Sequence, residues 1–422
     1  MTGGGAVTEI GALALSATRA RPPEPEPEPP GLLFARGPFG PEVDAWRAGT
    51  AALLSAAFGS HAVQAERDGL FPRAVLTELG ACGLMRERWR PAPDGDPGRG
   101  VLIAEESGRL GYASLSIGLS LHLESVISIL TGHGRSALLQ EYLAGALDGQ
   151  LVGCVGASEP TGGSELAGIR TTAARVPGGW RISGEKKYLS LGSVCDFALL
   201  LCRIEGGRAG RQLGVFAVPA SGLTVRKRLQ KVGSAALDTT WMRIDATVPD
   251  EARVGREGAG LLVISRGLSH ERLSIAAQAV GGAALAIGLA AAHLHRRRQF
   301  GRPLIEHQAL RLRLADLSAR LTALRFAVYT AAQGVPVPGA CGVRETAALK
   351  VTAARFIERV TSECMHLFGG PGYLEDETPM ARMWRDARLA RLGGGSDEMM
   401  WELAAGAVVP DFAAYDERVD LE

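Results

Sequence analysis

The sequence predicts an α+β protein of several domains, with helices first, a β-rich segment in the middle and helices again at the end. Three observations support this prediction. The chain has 422 residues, two to three times the usual domain size. Apolar residues recur at three- and four-residue spacing before residue 150 and after residue 260, which is typical of helices. Between these segments lie short β-prone runs punctuated by Gly and Pro.

Changes in composition set the expected boundaries. Residues 20–31 (ARPPEPEPEPPG) combine Pro and Glu without an apolar anchor, so residues 1–34 are expected to form a disordered tail. The N-terminal helical domain then covers residues 35–150, the middle β-domain residues 151–255, and the C-terminal helical domain residues 256–422.

Each domain has its own local pattern. Helical periodicity in the first domain covers residues 43–58, 74–84, 102–108 and 114–129. The β-prone runs of the second domain are residues 151–156, 171–176, 179–184, 197–204, 212–219, 223–229 and 240–248. Gly178 and Gly179 signal a hairpin turn between two of these runs. Their loose alternation predicts a small sheet or barrel that helices cover on one face.

One segment of the C-terminal domain nearly reaches the length of a membrane span. Residues 275–292 contain Gln278 as their only polar member. Their Ala and Gly content is only weakly hydrophobic, and charged residues flank the segment tightly. We therefore expect a helix buried on all sides within a bundle, and no membrane span.

Charge and cysteine usage exclude several classes of function. The 46 Lys and Arg against 45 Asp and Glu leave a net charge of +1, which gives no general attraction for nucleic acid or an anionic membrane. The six cysteines form no CxxC pair and the eight histidines are dispersed, so we expect neither a metal site nor a disulfide framework. The apolar stretch near residues 10–17 follows Glu9 and no basic residue, the wrong order for a secretory signal, so a cytoplasmic location is expected.

The common nucleotide and hydrolase motifs are absent. No GxGxxG follows a strand, the dipeptide Gly-Lys of a Walker A loop never occurs, and neither GxSxG nor HExxH is present. Three other loops combine small residues with hydroxyls: residues 155–163 (VGASEPTGG), 184–190 (GEKKYLS) and 368–373 (FGGPGY). Glycine at such turns lets backbone N–H groups approach a flat or anionic ligand. In the second loop, strand alternation predicts that Tyr188 and Ser190 share one face.

Taken in order, these loops and four further strings resemble the acyl-CoA dehydrogenase family of FAD flavoproteins. The matching strings are ASEPTGGSELAG at 157–168, GEKKYLS at 184–190, ERLSIAAQAVGGA at 271–283, RRQFGRPLIEHQ at 297–308, HLFGGPGY at 366–373 and RDARLARLGGGSDEMM at 385–400. The resemblance covers roughly residues 40–408. It implies a helical domain, a middle β-domain of small barrel or sandwich type, a C-terminal four-helix bundle, and assembly as a homotetramer or dimer.

The resemblance also implies a set of FAD contacts. Ser158 and Ser190 match hydroxyls that bond the flavin ring, with Ser190 addressing N5, and Tyr188 matches an aromatic that covers one face. Arg297 and Gln308 match residues that contact the FAD of a neighbouring subunit, where the planar fork of Arg suits pyrophosphate. The remaining implied cofactor contacts are Val155, Ala157, Ser164, Leu189, Phe300, His307, His366, Gly369, Gly370, Ser396 and Glu398.

The implied catalytic base is Glu271. The commonest base of the family lies in a Tyr-Glu-Gly-Thr run, but residues 393–396 read Gly-Gly-Gly-Ser here. Isovaleryl and long-chain types carry the base in an E-R-L triplet, and Glu271-Arg272-Leu273 matches that triplet. The resemblance further places Ser164, Arg272 and Gly394 at the substrate, with the Gly394 N–H at the thioester oxygen.

The implied reaction is the α,β-dehydrogenation of an acyl thioester to the 2-enoyl thioester, with an electron-transfer flavoprotein as acceptor. Two departures leave the substrate carrier open between CoA and an acyl-carrier protein: residues 233–239 lack the Arg of a G-x-R-x-S-x-T stretch, and Leu191 replaces a common Asn. The alternatives are a flavin-dependent monooxygenase on the same fold, which needs no base for an α-proton, and a flavin-free non-catalytic homologue.

Overall fold

The computed structural model describes residues 41–206, 212–333 and 342–420. The predicted tail and Cys341 lie outside these ranges. The N-terminal domain is helical, and its helices are α1 (Pro41–Asp68), α2 (Arg73–Ala81), α3 (Leu84–Arg88), α4 (Pro97–Arg109), α5 (Ala113–His133) and α6 (Ala137–Leu147).

Local chemistry explains where two of these helices begin. The Asp96 carboxylate accepts the backbone N–H of Arg99 at the start of α4, and Pro97 occupies the first turn, where its missing N–H costs nothing. Ser136 caps α6 in the same way. Helix α5 is interrupted by a π-helical segment, Leu121–Val126, of the kind that often marks a functional site.

The middle domain is one mixed sheet. Its strands are β1 (Gly153–Gly156), β2 (Thr172–Val176), β3 (Gly179–Ser190), β4 (Phe197–Ile204), β5 (Leu213–Pro219), β6 (Leu223–Arg228), β7 (Thr239–Pro249) and β8 (Arg253–Val254). The spatial order is β6-β7-β3-β2-β4-β5-β8, and β1 pairs in parallel with β4. Each β-prone run of the sequence therefore forms a strand.

The sheet curls around its own core. Two strands separate β3 from β5, yet the rings of Trp180 and Phe216 lie 5.0 Å apart and are both fully buried. The predicted β2–β3 hairpin is present, but its turn is Pro177–Gly178, one residue earlier than expected. Val176 pairs with Gly179, and Gly178, the second residue of the turn, has a φ of +77°, which glycine adopts without steric cost.

The C-terminal domain is a helical bundle. Its helices are α7 (Gly260–Arg296), α8 (Gln308–Gln333), α9 (Val343–Phe368), α10 (Gly370–Tyr373), α11 (Met380–Ala387), α12 (Asp397–Ala405) and α13 (Phe412–Arg418), and a small hairpin, β9 (Arg298–Gln299) and β10 (Arg302–Pro303), joins α7 to α8. Three long helices form the centre of the bundle, and α12 is the short fourth helix that packs on α9.

Glycines let the first and last domains meet closely. A Cβ at Gly281 of α7 would lie 2.0 Å from the Glu105 carbonyl oxygen, and one at Gly108 of α4 would lie 2.4 Å from the Gln278 carbonyl oxygen. Beside this contact, the buried Glu105 carboxylate accepts hydrogen bonds from Arg325 (2.7 Å) and Tyr329 (2.6 Å) of α8. Part of the glycine surplus therefore serves helix packing.

Two helices of the described residues are long and apolar enough to cross a membrane by composition alone, Ala113–His133 and Gly260–Arg296. Inside the fold, 83 % of the apolar window of the first and 56 % of the second are buried. Their apolar surface therefore packs largely against the protein itself.

Candidate active site

A cleft of about 1010 Å³ lies where the three domains meet. The α4–α5 junction, the ends of β1 and β3, one face of α7 and the segment before α12 all contribute to its walls. The sequence-predicted residues that line it are Val155, Ala157, Ser158, Ser164, Tyr188, Leu189, Ser190, Glu271, Arg272, Gly394 and Ser396. Half of the sixteen proposed FAD contacts and all three proposed substrate contacts thus line one cavity.

Glu271 lies on α7 and is a buried carboxylate of the cleft wall, with 9 % of its surface exposed. The Ser125 hydroxyl donates a 2.7 Å hydrogen bond to its Oε2 atom. Burial raises the pKa of Glu271 above its ordinary value, while the Ser125 hydrogen bond and the charges of Arg272 and Lys350 partly oppose that rise. A carboxylate with a raised pKa is a stronger base once it is ionised.

The glycine turn, residues 393–395, faces Glu271. Gly394 and Gly395 both adopt positive φ, +67° and +109°. A Cβ at position 394 would lie 3.7 Å from Oε1 of Glu271 and 3.0 Å from Cδ1 of Ile275. Positions 271 and 394 therefore point at the same space, which gives a physical reason why a base is needed at only one of them.

Two cationic side chains donate hydrogen bonds to carbonyl oxygens of the glycine turn. Arg272 of α7 donates from Nε to the Gly394 oxygen at 2.9 Å, and Lys350 of α9 donates from Nζ to the Gly395 oxygen at 2.5 Å. Burial lowers the pKa of Arg272, and burial lowers the pKa of Lys350 to about 8. Sequence reasoning found Arg272 but missed Lys350, because a lysine on a helix carries no local sign of such a contact.

The β-domain wall is held by a buried ion pair. Glu159 follows Ser158 and accepts the Lys186 ammonium at 2.9 Å and the backbone N–H groups of Arg170 and Thr171. Lys186 is fully buried and also donates to the Ala157 carbonyl oxygen. This pair fixes the loop that carries Ser158 and Ser164.

Tyr188 and Ser190 both line the cleft, but the regular strand alternation used to predict that they share a face is interrupted at Tyr188. The register of β3 against β7 shifts between Lys187 and Leu189, so Tyr188 is an extra residue in a β-bulge with φ of +70°. A bulge interrupts the strict alternation on which that prediction depends. Tyr188 nevertheless lines the cleft and is 60 % exposed, so its ring face is available to a ligand.

The residues at this wall fit a flavin. Tyr188 offers an exposed aromatic face, and the hydroxyls of Ser158 and Ser190 lie on the same wall. A Cβ at Gly162 would meet no atom within 4 Å, while one at Gly163 would lie 3.0 Å from the Ser158 hydroxyl. Flat aromatic surface, hydroxyl groups and open backbone together suit a planar, polar-edged ring.

A second group of predicted cofactor residues lies outside this cleft, at the far end of the bundle. The group comprises Arg297, Phe300, His307, Gln308, His366, Gly369 and Gly370, and Phe300 is 91 % exposed. The stacked rings of His293 and Phe368, 4.4 Å apart, join the C-terminal ends of α7 and α9 here. Position 297 lies 26 residues along the chain from Glu271, about 39 Å at the rise of a helix. Within a single chain, this group is therefore too far away to line the cleft.

Glu398, another predicted cofactor contact, also lies outside the cleft and is exposed on the first turn of α12.

The loop of residues 233–239, which lacks the Arg of the family pattern, contacts Asp386 of α11. The Ser234 N–H donates to Oδ1 of the buried Asp386 at 2.5 Å, while Oδ2 has no hydrogen-bond partner among the described residues. Burial and then the neighbouring Glu66 raise the pKa of Asp386 to about 6, against the hydrogen bond from Ser234. Ala235 stands where the family pattern has Arg. Leu191, the other departure, holds a φ of +63°, which Asn adopts more readily.

Within the described ranges, no group of three or more His, Cys, Asp or Glu side chains could hold a metal ion. An interdomain cleft with a buried carboxylate opposite a glycine turn, beside a wall suited to a planar ring, is the arrangement expected of a flavin-dependent dehydrogenase.

The comparisons with known proteins identify the family. Models of the acyl-CoA dehydrogenase N-terminal, middle and C-terminal domains match residues 40–150, 154–247 and 258–409. The chain is 44% identical over 360 residues to an acyl-[acyl-carrier-protein] dehydrogenase MbtN of Mycobacterium sp. (strain MCS), which covers 85% of this chain and 91% of that protein. It is 30% identical over 348 residues to the mitochondrial isovaleryl-CoA dehydrogenase of Oryza sativa subsp. japonica, with coverage of 80% and 84%.

Comparison with a solved structure supports the same family. The acyl-CoA dehydrogenase of Geobacillus kaustophilus superposes with a TM-score of 0.81 at 27% identity, covering 88% of this chain and 99% of that one. This chain belongs to the acyl-CoA dehydrogenase family. The predicted family, the three-domain fold class and an oxidoreductase acting on the CH–CH bond are thereby confirmed, and FAD as cofactor follows from the family.

Proposed function

We propose that this protein dehydrogenates an acyl thioester between its α and β carbons, with Glu271 as the base. The observation that carries this proposal is the Glu271 carboxylate, buried in the cleft and facing the glycine turn. An α-proton of a thioester is a weak acid, so its removal needs both a strong base and stabilisation of the enolate charge. Burial of Glu271 supplies the first.

We also propose which oxygen of Glu271 takes the proton. Ser125 donates to Oε2 of Glu271, so that atom is occupied, whereas Oε1 faces position 394. We assign Oε1 as the proton acceptor. The N–H groups of Gly394 and Gly395 meet no acceptor among the described residues, which leaves the Gly394 N–H available to the thioester oxygen. An N–H that binds the developing oxyanion commonly contributes about 100- to 1000-fold in rate.

FAD fits the β-domain wall, where Ser158, Tyr188 and Ser190 would hold its ring and Val155, Ala157 and Leu189 would contact it. Bound there, FAD supplies the acceptor for the hydride that leaves the β carbon. The apolar residues Ile264, Leu268 and Ile275 also line the cleft and would keep water away from the α carbon of a bound substrate. Ser164 and Arg272 line the same cleft, and we propose that they contact the carrier arm of the substrate.

The second group of residues, around Arg297 and His366, supports an oligomeric site. Because these residues lie at the far end of the bundle, we propose that they bind the dinucleotide part of FAD held in the cleft of a second copy, within a homotetramer or dimer. Phe300 is 91 % exposed in the single chain, and a neighbouring copy would cover it. Sedimentation of the FAD-loaded protein tests this, and a stable monomer that retains FAD would contradict it.

An acyl-carrier protein is the proposed carrier. Relatives at 43–44% identity are named as acyl-[acyl-carrier-protein] dehydrogenases, whereas those named for CoA substrates are 28–30% identical.

We further propose an electron-transfer flavoprotein as the electron acceptor and a cytoplasmic location for the protein. No disulfide joins the five cysteines of the described residues, which suits a reducing compartment.

Mass spectrometry of products tests the reaction. The protein, loaded with FAD and supplied with an artificial electron acceptor, is given matched saturated acyl groups on CoA and on an acyl-carrier protein. We expect products two hydrogens lighter, with the carrier-protein thioester preferred, from the wild type and from Glu141→Gln, which changes an exposed carboxylate of α6. Oxygen incorporation into the product, or no change in mass with any acyl thioester, would refute the proposal.

A further inference from the structure

Lys350 is a buried cation that the proposed chemistry does not use. It lies on α9, its side chain has no exposed surface, and its ammonium group donates to the Gly395 carbonyl oxygen at 2.5 Å. A buried ammonium group is costly unless it is paired and hydrogen-bonded. The charges around it are mixed: Asp397 and Glu271 favour the charged form, and Arg272 and Arg391 oppose it.

The glycine turn, residues 393–395, depends on hydrogen bonds to its backbone to hold one conformation. Three consecutive glycines have no side chains to pack, and glycine loses more conformational freedom on folding than any other residue. The Gly393 N–H donates to the Leu389 carbonyl oxygen just before the turn, and two consecutive carbonyl oxygens of the turn accept from other helices. Arg272 holds that of Gly394 from α7, and Lys350 holds that of Gly395 from α9.

The two contacts fix the orientation of the backbone. The carbonyl and N–H of one trans peptide are coplanar and point in opposite directions, so holding the carbonyls of Gly394 and Gly395 sets the N–H directions of Gly395 and Ser396. The Gly394 N–H belongs to the preceding peptide, so the two contacts restrain it only indirectly, by holding the carbonyl end of Gly394 in place. Residues 393–395 line the cleft opposite Glu271, and the N–H groups of Gly394 and Gly395 have no acceptor among the described residues.

We propose that Lys350 is a positioning residue for the oxyanion site: with Arg272 it holds the glycine turn so that its N–H groups bind the thioester oxygen. This inference rests on the proposed function, because it concerns the same cleft and the same substrate atom. Lys350 does not touch the substrate, and its effect passes through the Gly395 carbonyl.

The test measures how much the thioester oxygen contributes to binding. The ligands are a 2-enoyl thioester and the corresponding thioether, which lacks the carbonyl oxygen, each on the same carrier. Their affinities for FAD-loaded wild type, Lys350→Met and Lys350→Arg are compared by titration of the flavin spectrum. Thr346→Val, a buried change one turn earlier on α9, is the control for damage to the helix.

For Lys350→Met we expect the preference for thioester over thioether to fall at least about tenfold, and kcat to fall about 100-fold, as for loss of an oxyanion donor. The Kd for the thioether should change less than about threefold. Lys350→Arg should recover part of both losses, and Thr346→Val should change neither. If Lys350→Met does not fold, Lys350→Gln, which keeps an N–H donor without the charge, is measured for the same preference.

Parallel loss of affinity for both ligands, or an unchanged preference in the folded variants, would overturn the proposal. These outcomes are separable from failure of the proposed function. If the proposed function is wrong, the wild type itself leaves every acyl thioester unchanged. If only the role of Lys350 is wrong, wild-type dehydrogenation and its dependence on Glu271 remain.

Discussion

The hydrogen bond from Ser125 to Glu271 makes a prediction that can be worked through from the structure. The Ser125 hydroxyl donates to Oε2 at 2.7 Å, and both groups are buried. The bond favours the ionised carboxylate and thus partly offsets the rise in the pKa of Glu271 that burial causes. Ser125→Ala removes this bond, so the pKa of Glu271 is expected to rise further.

The size of the effect follows from the chemistry of the bond. A hydrogen bond to a charged group contributes about 1.5–3 kcal/mol, which corresponds to a factor of roughly 10 to 150 in an equilibrium constant. Because only ionised Glu271 accepts the α-proton, the acid limb of kcat/KM against pH should move to higher pH. At pH values below that limb, kcat/KM should fall by this factor, while at high pH it should recover to near the wild-type value.

Anaerobic reduction of the bound flavin, followed by absorbance across a range of pH, provides the assay. Ser128→Ala is the matched control, since Ser128 is equally buried on the same helix but donates to the Ser125 carbonyl oxygen instead of a carboxylate. The control should keep the wild-type profile. An unmoved acid limb in Ser125→Ala, or an equal loss at all pH values, would refute the assignment of this bond to the base.

Two further predictions concern Asp386 and Gly394. The pKa of Asp386 is raised from 3.8 to about 6, so its contribution to stability is full at low pH and is lost as pH rises through about 6. Asp386→Asn removes the cost of ionisation, and its stability relative to wild type, measured by urea unfolding, should be about 1–2 kcal/mol greater at about pH 8 than at about pH 5. The same advantage at both pH values would contradict the assigned ionisation. Gly394→Ala places a methyl group 3.0 Å from Ile275 and 3.7 Å from the Glu271 carboxylate, at a φ of +67°. We expect a stability loss of about 1 kcal/mol from the backbone alone and at least a tenfold loss of kcat, checked by stopped-flow flavin reduction, and wild-type kcat would show that the turn does not face the reacting atoms.

The order of the domains could be predicted from the sequence because periodicity reports burial directly. The change from helical spacing to short β-prone runs near residue 150 marks the start of the sheet, and the return to helical spacing after residue 260 marks α7. The bulge at Tyr188 could not be found in this way, because an aromatic residue in a strand pattern gives no sign of a positive φ. The hairpin turn was displaced by one residue for a related reason, since Gly178 and Gly179 both suit a turn.

In the candidate site, too, residues in local motifs could be predicted from the sequence, whereas residues whose roles depend on distant contacts could not. Glu271 and the Ser158 loop were found through motifs, in which residue type and spacing are local. Ser125 and Lys350 were missed because their roles come from contacts across 146 and 45 residues of chain. Ser125 also lies in a π-helical segment, and its side chain direction there does not follow the ordinary helical repeat.

The central claim is that Glu271 removes the α-proton, and single-turnover reduction of the flavin in Glu271→Gln tests it most directly. The variant keeps the shape of the side chain and can still accept the Ser125 hydroxyl, so FAD content and unfolding temperature should match the wild type. Mixed anaerobically with a saturated acyl-carrier-protein thioester, the wild type should bleach its flavin, and Glu271→Gln should do so at least about 1000-fold more slowly, within the range for loss of a general base. Bleaching by Glu271→Gln within about tenfold of the wild-type rate would show that another group takes the proton.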